Sequence, residues 1–191
     1  MDLSLLTIIE LFATVFGFVY LILLIKENKW CWYFGIAGSL LSIYLFYAGK
    51  LYSEAILYVY YVIIGFYGLW LWSKPDKKGT LKVTNTTQLT TFYYVLLGAV
   101  LTLVVGYLFS TYTDASSPYL DASTSMFSFV ASYLQAKKIL NSWYFWIFIN
   151  AVTLYLYYTK GYNLYFGLTI IYTVFSFTGL FQWKKVLETK N

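Results

Sequence analysis

The chain contains no arginine and no histidine, and charged residues make up only 11% of its 191 positions. Histidine is the side chain that changes charge near neutral pH, so a proton relay here would depend on Glu, Asp or Tyr. The single cysteine, Cys31, cannot form an intrachain disulfide, and no Cys/His cluster indicates a metal site. A glycine-rich phosphate loop and a nucleophile–base set are also missing from the sequence. We therefore expect no enzymatic activity, no metal and no cofactor.

Apolar and aromatic residues are abundant instead, at 60% and 24% of the chain. A soluble domain is nearer half apolar and a quarter charged. About 20 consecutive apolar residues suffice to cross a bilayer as a helix, and the sequence offers several such runs. We predict an all-α, polytopic membrane protein surrounded by the lipid bilayer. Its net charge of +5 then reflects lysines in cytoplasmic loops and gives no indication of a nucleic-acid partner.

The apolar runs predict seven transmembrane helices, separated by short polar links and one longer loop. The predicted spans are approximately residues 3–25, 30–48, 51–72, 92–111, 119–136, 143–158 and 162–183. The loop after the third span is rich first in lysine and then in Thr, Asn and Gln. We predict a first three-helix repeat at 1–73, a cytoplasmic loop and linker helix at 74–118, and a second repeat with a cytoplasmic tail at 119–191.

The lysines test this helix count independently of hydropathy. With seven spans, eleven of the thirteen lysines lie on one side of the membrane, and only Lys50 and Lys160 lie on the other. The positive-inside rule then predicts a cytoplasmic C-terminus and an external N-terminus.

The two halves of the chain also resemble each other. Trp30 and Trp32 open the second span as Trp143 and Trp146 open the sixth. The third and seventh spans end in the same pattern, Gly68-Leu69-x-x-Trp72 and Gly179-Leu180-x-x-Trp183. Because the single linker span restores the orientation of the chain, we predict two parallel repeats. Transporters built from such repeats bind their solute near the membrane midplane.

The sixth span carries the first candidate site. Trp143, Trp146 and Asn150 fall at i, i+3 and i+7 of a helix, so one face presents two indoles and one amide. This face suits an uncharged aromatic solute, although tryptophans near a helix end also serve as interfacial anchors. Asn150 lies about two turns into the span, where an amide is expected to face protein or a cavity.

The fifth span carries a polar stripe at i, i+4, i+7 and i+11, formed by Asp121, Ser125, Ser128 and Ser132. Polar residues inside a span are costly and indicate function, so we predict that this stripe lines a hydrated cavity. Two alternatives stay open: the serines hydrogen-bond neighbouring helices together, and Asp121 caps the outer end of its helix.

The third span carries Glu54, Tyr58 and Tyr61 on one stripe. Glu54 is predicted to accept hydrogen bonds from ribose hydroxyls or to pair with a cationic ring; alternatively, it is solvated at the outer end of the span. The tyrosines offer ring faces with a polar tip, to which an aromatic ligand can stack.

These residues resemble the PnuC family of bacterial vitamin transporters over nearly the whole chain. The motifs that carry the resemblance are Leu51-Tyr52 with Glu54, Tyr67-Gly68 with Trp72, the helix from Asp121 to Lys138, and Asn141-x-Trp143-x-x-Trp146-x-x-x-Asn150 followed by Lys160-Gly161. The resemblance implies a SWEET-like 3+1+3 fold and a homotrimer in the bacterial inner membrane. It implies facilitated uptake of nicotinamide riboside, which a cytoplasmic kinase then traps by phosphorylation. It also implies that Trp143, Trp146 and Asn150 contact the ligand.

One position departs from the family pattern. Riboside-type members commonly carry a glutamine one helical turn after the acidic residue of the third span, where this chain has Tyr58. The departure keeps thiamine open as an alternative ligand, with riboflavin as a third. The alternative of another class is a non-transporting membrane assembly or receptor subunit, in which the serines bond helices together and the tryptophans are anchors.

Overall fold

The computed structural model describes residues 3–49, 52–74, 81–113 and 117–189. The described residues form seven α-helices: α1 (Leu3–Ile25), α2 (Cys31–Ala48), α3 (Tyr52–Ser73), α4 (Gln88–Tyr112), α5 (Pro118–Ala136), α6 (Ser142–Lys160) and α7 (Asn163–Glu188). The predicted all-α architecture is therefore confirmed. The residues used in the sequence argument that lie outside the described part are Lys50, Leu51, Lys77, Lys78 and Lys190.

The helices have the length and surface that a bilayer requires. Within the described residues, α1, α2, α3, α4 and α7 each contain a segment long and apolar enough to cross a membrane. α5 and α6 have 19 residues each, which corresponds to about 28 Å of helix. Their polar residues lower the hydropathy of these two helices. Many large apolar side chains are exposed, among them Ile56, Leu103 and Phe181, as expected where lipid and not water covers the surface.

The start of α4 differs from the sequence prediction. The Thr/Asn/Gln-rich stretch is predicted to remain a loop through Thr90, but the helix already begins at Gln88. Thr87 lies at the N-cap position, and its side-chain oxygen accepts a hydrogen bond from the backbone N–H of Thr90 at 3.2 Å. This bond satisfies one of the unpaired donors of the first turn and extends the helix into polar sequence.

The chain divides into two compact units, Met1–Lys82 and Val83–Asn191. In the first unit, α2 is the central helix and contacts both α1 and α3. In the second unit, each helix contacts the next, from α4 through α5 and α6 to α7. The linker helix α4 therefore packs against the first helix of the second repeat.

A short strap joins the segment before α4 to the turn between α5 and α6. Thr84 forms an isolated parallel bridge with Ile139. The N–H of Thr84 donates to the carbonyl of Lys138 at 3.0 Å, and the N–H of Leu140 donates to the carbonyl of Thr84 at 2.8 Å. The Asn141 side chain extends this contact, as its Oδ1 accepts from the N–H of Thr86 and its Nδ2 donates to Oγ1 of Thr91, both at 3.1 Å.

The first helix of each repeat ends in the same turn. Glu27 follows α1 and Lys138 follows α5, and the two lie 111 positions apart with positive φ angles of 55° and 53°. Non-glycine residues adopt this conformation rarely. In each turn the N–H of this residue donates to the carbonyl three positions earlier, at 3.0 Å. The next N–H donates to the carbonyl five positions earlier, at 2.9 Å and 3.0 Å. This is the pattern of a Schellman cap.

The central helix of each repeat packs against the third helix through two tryptophans and one glycine, which we call the tryptophan cluster. Trp32 meets Trp72 edge-on, with ring centroids 5.5 Å apart and an interplanar angle of 89°. Trp143 meets Trp183 at 5.4 Å and 87°. A glycine lies under each central indole: Gly68 under Trp32 and Gly179 under Trp143. The shared sequence motif of the repeats therefore corresponds to a shared helix-packing contact.

Candidate functional site

Trp143 is buried by packing contacts within the second unit. Its side chain is 1% exposed, and its indole lies between Gly179 and Trp183 of α7. The indole N–H is buried and has no hydrogen-bond partner among the described residues. This ring contributes to the helix contact found in both repeats. The ligand contact predicted for Trp143 stays a prediction.

Trp146 faces the opposite neighbour, α5. Its indole N–H donates to Oε1 of Gln135 at 2.9 Å. The ring is partly buried and packs against the apolar core of the second unit, which contains Leu134, Phe145 and Ile149. Trp146 therefore combines an indole fixed by one polar contact with a surface that is only partly covered.

Asn150 is buried and paired, as its depth in the helix predicts. It is 8% exposed, and its Nδ2 donates to Oγ of Ser176 on α7 at 3.1 Å. The Ser176 hydroxyl in turn donates to the backbone carbonyl of Tyr172 at 2.9 Å. An amide at this depth needs such a partner, because an unpaired polar group in the bilayer core is costly.

The predicted face of α6 is thus divided between two neighbouring helices. Trp143 and Asn150, two turns apart, contact α7, while Trp146 contacts α5. The structure brings together Gln135 with Trp146 and Asn150 with Ser176, and we call these the two polar pairs of α6.

Comparison of the two repeats separates packing residues from functional candidates. The tryptophan cluster occurs at equivalent positions, 111 residues apart, in both units. The polar pairs do not, because the first unit has apolar or smaller residues at the equivalent positions: Leu24 for Gln135, Gly35 for Trp146, Ser39 for Asn150 and Gly65 for Ser176. A repeat of this architecture therefore folds without either polar pair, which makes both pairs candidates for function.

The serines of α5 use their hydroxyl hydrogens within their own helix. Ser125 donates to the carbonyl of Asp121 at 3.1 Å, Ser128 to that of Thr124 at 2.7 Å, and Ser132 to that of Ser128 at 2.5 Å. Such back-bonding satisfies a hydroxyl without a neighbouring helix. The predicted cavity-lining role of Ser125 and Ser128 stays a prediction.

Asp121 lies in the first turn of α5 and approaches Lys160 in the last turn of α6. The carboxylate Oδ1 is 3.7 Å from Nζ of the lysine, and the two side chains are 32% and 25% exposed. The ion pair joins the ends of adjacent helices. Each charge also lies at the helix end where the helix dipole favours it.

The candidates of the third span lie in the first unit, where its two tyrosines belong to an aromatic group. Tyr58 contacts Phe46 with ring centroids 5.2 Å apart and meets Tyr61 edge-on at 5.4 Å. Glu54 is exposed and lies in the first turn of α3. The ring faces predicted for ligand stacking are thus already engaged with one another.

A groove of about 290 Å³ lies on the second unit, between α4, α5 and α6. It is lined by Thr91, Val95, Phe127, Tyr144, Phe145 and Phe148. The lining is almost entirely apolar, and it contains none of the candidate residues discussed above.

Gln135 and Ser176 are absent from the sequence-based set of candidates. Gln135 stands near the C-terminal end of α5, a span already noted for its serines, and Ser176 lies among hydroxyl residues of α7 that bond to their own backbone. Alignment of the two repeats would have singled out both residues, since each replaces an apolar residue or glycine in the first repeat.

The seven helices of the described residues, five of them with a segment long and apolar enough to cross a membrane, describe a polytopic helical membrane protein. Among known proteins, the family model described as nicotinamide mononucleotide transporter matches residues 7–185. The chain belongs to this family, the PnuC family of vitamin transporters, whose members are transporters and not enzymes. The family resemblance found in the sequence is thereby confirmed.

Two similar proteins illustrate the range of the family. The chain is 25% identical over 178 residues to the riboflavin/roseoflavin transporter RibM of Streptomyces davaonensis, covering 91% of this chain and 83% of RibM. It also shares the fold of the crystal structure of the vitamin B3 transporter PnuC, with a TM-score of 0.75 and 23% identity. This match covers 94% of the present chain and 82% of the other.

Proposed function

We propose that this protein takes up a vitamin-sized aromatic solute across the bacterial inner membrane by facilitated diffusion, with nicotinamide riboside as the first candidate. The observation that carries the proposal is the presence of the two polar pairs of α6 in the second repeat alone. Trp146 offers an indole face to an aromatic ring, and Asn150 offers an amide to a hydroxyl or carboxamide. This combination suits a small solute that is flat at one end and polar at the other.

The remaining candidates have supporting roles in this proposal. Tyr58 and Tyr61 are the candidate ring contacts of the first unit, and a cationic aromatic ligand gains roughly 0.5–2 kcal/mol per such contact. The buried Trp143 supports the site of the second unit by packing α6 against α7. Carboxylates and hydroxyls are the candidate acceptors for ribose hydroxyls: Glu54 within the first unit, and Asp121, Ser125 and Ser128 within the second. Transport then needs no coupled ion, and phosphorylation by a cytoplasmic kinase traps the vitamin.

Riboflavin is the second candidate ligand, because the similarity to RibM extends over 91% of the chain. Thiamine is the third, because Tyr58 stands where riboside-type relatives carry glutamine. All three ligands contain a flat heteroaromatic ring, so stacking on Trp146 does not discriminate among them. Isothermal titration of the purified protein with each vitamin in turn identifies the ligand.

Uptake by membrane vesicles from cells that express each variant tests the site. We expect Trp146→Ala and Asn150→Ala each to abolish uptake while the protein reaches the membrane at normal levels. Tyr155→Ala is the matched control, as Tyr155 is an exposed aromatic residue of the same helix. Normal uptake by both site variants would rule out this site. A protein that bound none of the three vitamins but co-purified with a fixed partner would instead favour the non-transporting subunit.

Two further measurements test the mode of transport and the assembly. We expect a protonophore to leave initial uptake into kinase-free vesicles unchanged; inhibition would contradict facilitated diffusion.

We propose a homotrimer, for which native mass spectrometry should give three times the 22.2 kDa chain mass.

A further inference from the structure

We infer that Gln135 is a positioning residue that fixes the indole of Trp146 and thereby determines the affinity and selectivity of the α6 site. The inference rests on the proposed function, since it assigns Gln135 a role in the same ligand site. Its basis is the hydrogen bond of 2.9 Å from the Trp146 indole N–H to Gln135 Oε1, together with the burial of the glutamine.

The contact holds the indole in one orientation. Gln135 is 1% exposed, so close packing restricts its side chain and makes its Oε1 a fixed acceptor. A tryptophan side chain has two rotatable bonds, and a hydrogen bond at the indole nitrogen restricts both. The face that Trp146 presents is therefore set from α5.

The first repeat shows that packing alone does not require this arrangement. At the equivalent place, Tyr20 of α1 lies against Gly35 of α2, with a ring carbon 2.9 Å from the position of an added Cβ. In the second repeat the equivalent residue of α5 is Ala131, and the ring belongs to Trp146 of α6. In the second repeat the aromatic ring thus lies on the central helix α6. Gln135, which stands on α5 in place of Leu24, accepts a hydrogen bond from this ring.

The glutamine also introduces a buried hydrogen-bond donor that a leucine at this position would not have. Its Nε2 is buried and has no hydrogen-bond partner among the described residues. An unsatisfied buried donor destabilises a fold. This cost offsets the stability that the hydrogen bond to Trp146 contributes. Stability of the second unit thus gives little reason for an amide at this position, whereas a defined orientation of Trp146 does.

Removal of the amide should weaken binding without weakening the fold. We expect Gln135→Leu, which introduces the residue of the first repeat, to raise the Kd of the transported vitamin by up to about tenfold, because binding must then also order an indole that Gln135 no longer holds. The freed indole should also discriminate less between ligands, so the Kd ratio between riboflavin and nicotinamide riboside should move towards one. The thermal midpoint should change little, because removal of the unpaired Nε2 donor offsets the loss of the hydrogen bond to Trp146.

A double-mutant cycle separates positioning from general disruption. Trp146→Phe keeps an aromatic ring but removes the N–H, so we expect Gln135→Leu to have no further effect on Kd in that background. Gln135→Glu keeps an acceptor in place and should retain more affinity than Gln135→Leu. Gln182→Leu is the matched control, because Gln182 is exposed on α7, and it should leave the Kd unchanged.

The titrations and thermal midpoints decide the matter together. The inference is overturned if Gln135→Leu binds every vitamin as the wild type does. It is equally overturned if the losses of Gln135→Leu and Trp146→Phe are additive, or if affinity and thermal midpoint fall together. Wild-type protein that binds no vitamin would contradict the proposed function itself and remove this inference with it, an outcome distinct from binding that is unaffected by Gln135.

Discussion

Individual residues of α6 differ in whether the first repeat contains an equivalent contact. Trp143 and its counterpart Trp32 are almost fully buried, and each lies on a glycine and meets a second tryptophan. Equal surroundings imply equal contributions to stability. Trp146 and Asn150, on the other hand, have polar partners that the first repeat does not provide.

Removal of the central indole should destabilise both units alike. We expect Trp143→Ala and Trp32→Ala each to lower the free energy of unfolding by about 3–5 kcal/mol, because each leaves a large cavity. Denaturant unfolding in detergent measures this loss. If Trp143→Ala kept wild-type stability but bound no vitamin, Trp143 would be a ligand residue in the sense predicted from the sequence.

Asp121 allows the carboxylate and the ion pair to be tested separately. Both side chains are partly exposed, so loss of the pair should change the free energy of unfolding by less than about 1 kcal/mol. If Asp121 acts on the ligand as predicted, Asp121→Asn should slow vesicle uptake severalfold while Lys160→Gln leaves it nearly unchanged. Equal slowing by the two variants would assign the effect to the ion pair.

At this scale the sequence predicts that Asn150 is buried and paired, since depth in an apolar helix requires it. It does not predict Ser176 as the partner of Asn150 or Gln135 as the partner of Trp146. Helical periodicity gives the angle between side chains on one helix, but the rotation of that helix against its neighbours depends on close packing. The bulk of Trp143 against Gly179 sets this rotation, and so Trp146 meets α5 instead of α7.

At the scale of helices, glycine determines how closely the third helix of each repeat approaches the central one. A Cβ on Gly179 or Gly68 would lie 2.4 Å from carbons of the facing indole, so a buried ring would have to shift. Gly167, on the same helix as Gly179, has no atom within 4 Å of an added Cβ.

Alanine substitutions should therefore give opposite results within α7. We expect Gly179→Ala to destabilise the protein by about 1–3 kcal/mol through overpacking, and Gly68→Ala to do the same in the first unit. Gly167→Ala should be neutral or stabilising by up to about 1 kcal/mol, the gain in helix propensity. Thermal unfolding in detergent measures all three, and equal effects at Gly179 and Gly167 would contradict the packing role.

The strap before α4 is an element that the sequence does not reveal. Long apolar runs predict each helix, because about 20 such residues have few stable arrangements other than a membrane span. The bridge between Thr84 and Ile139 instead joins two short polar segments that are far apart in sequence. Local composition predicts only that residues 83–87 form a loop.

The Asn141 side chain should determine how firmly this strap is held. Asn141→Ala removes two hydrogen bonds, one to the backbone of Thr86 and one to Thr91. We expect faster amide hydrogen exchange at Thr86, measured by mass spectrometry, while exchange in the middle of α4 is unchanged. Gln88→Ala, at an exposed position next to the strap, is the control, and protection at Thr86 as strong as in the wild type would contradict this role.

For the molecule as a whole, the constant offset of 111 residues connects the two units. The caps after α1 and α5, the tryptophan clusters and the starts of α3 and α7 all obey it. A constant offset indicates one scaffold used twice, in which the second copy carries the polar pairs and the first does not. The short sequence motifs predict the repeat, whereas this difference between its two copies becomes visible only when side-chain partners are compared.

The distribution of lysines predicts the orientation of the chain in the membrane, and cysteine labelling tests that prediction. Eleven of thirteen lysines on one side imply a cytoplasmic C-terminus, so the turn between α6 and α7 should be external. Because Cys31 is fully buried, a membrane-impermeant maleimide should not modify the wild type. It should label Tyr162→Cys in intact spheroplasts but label Thr189→Cys only after the membrane is opened. The reverse pattern would invert the orientation. Labelling of both positions from outside would contradict the single crossing of α7 that separates them.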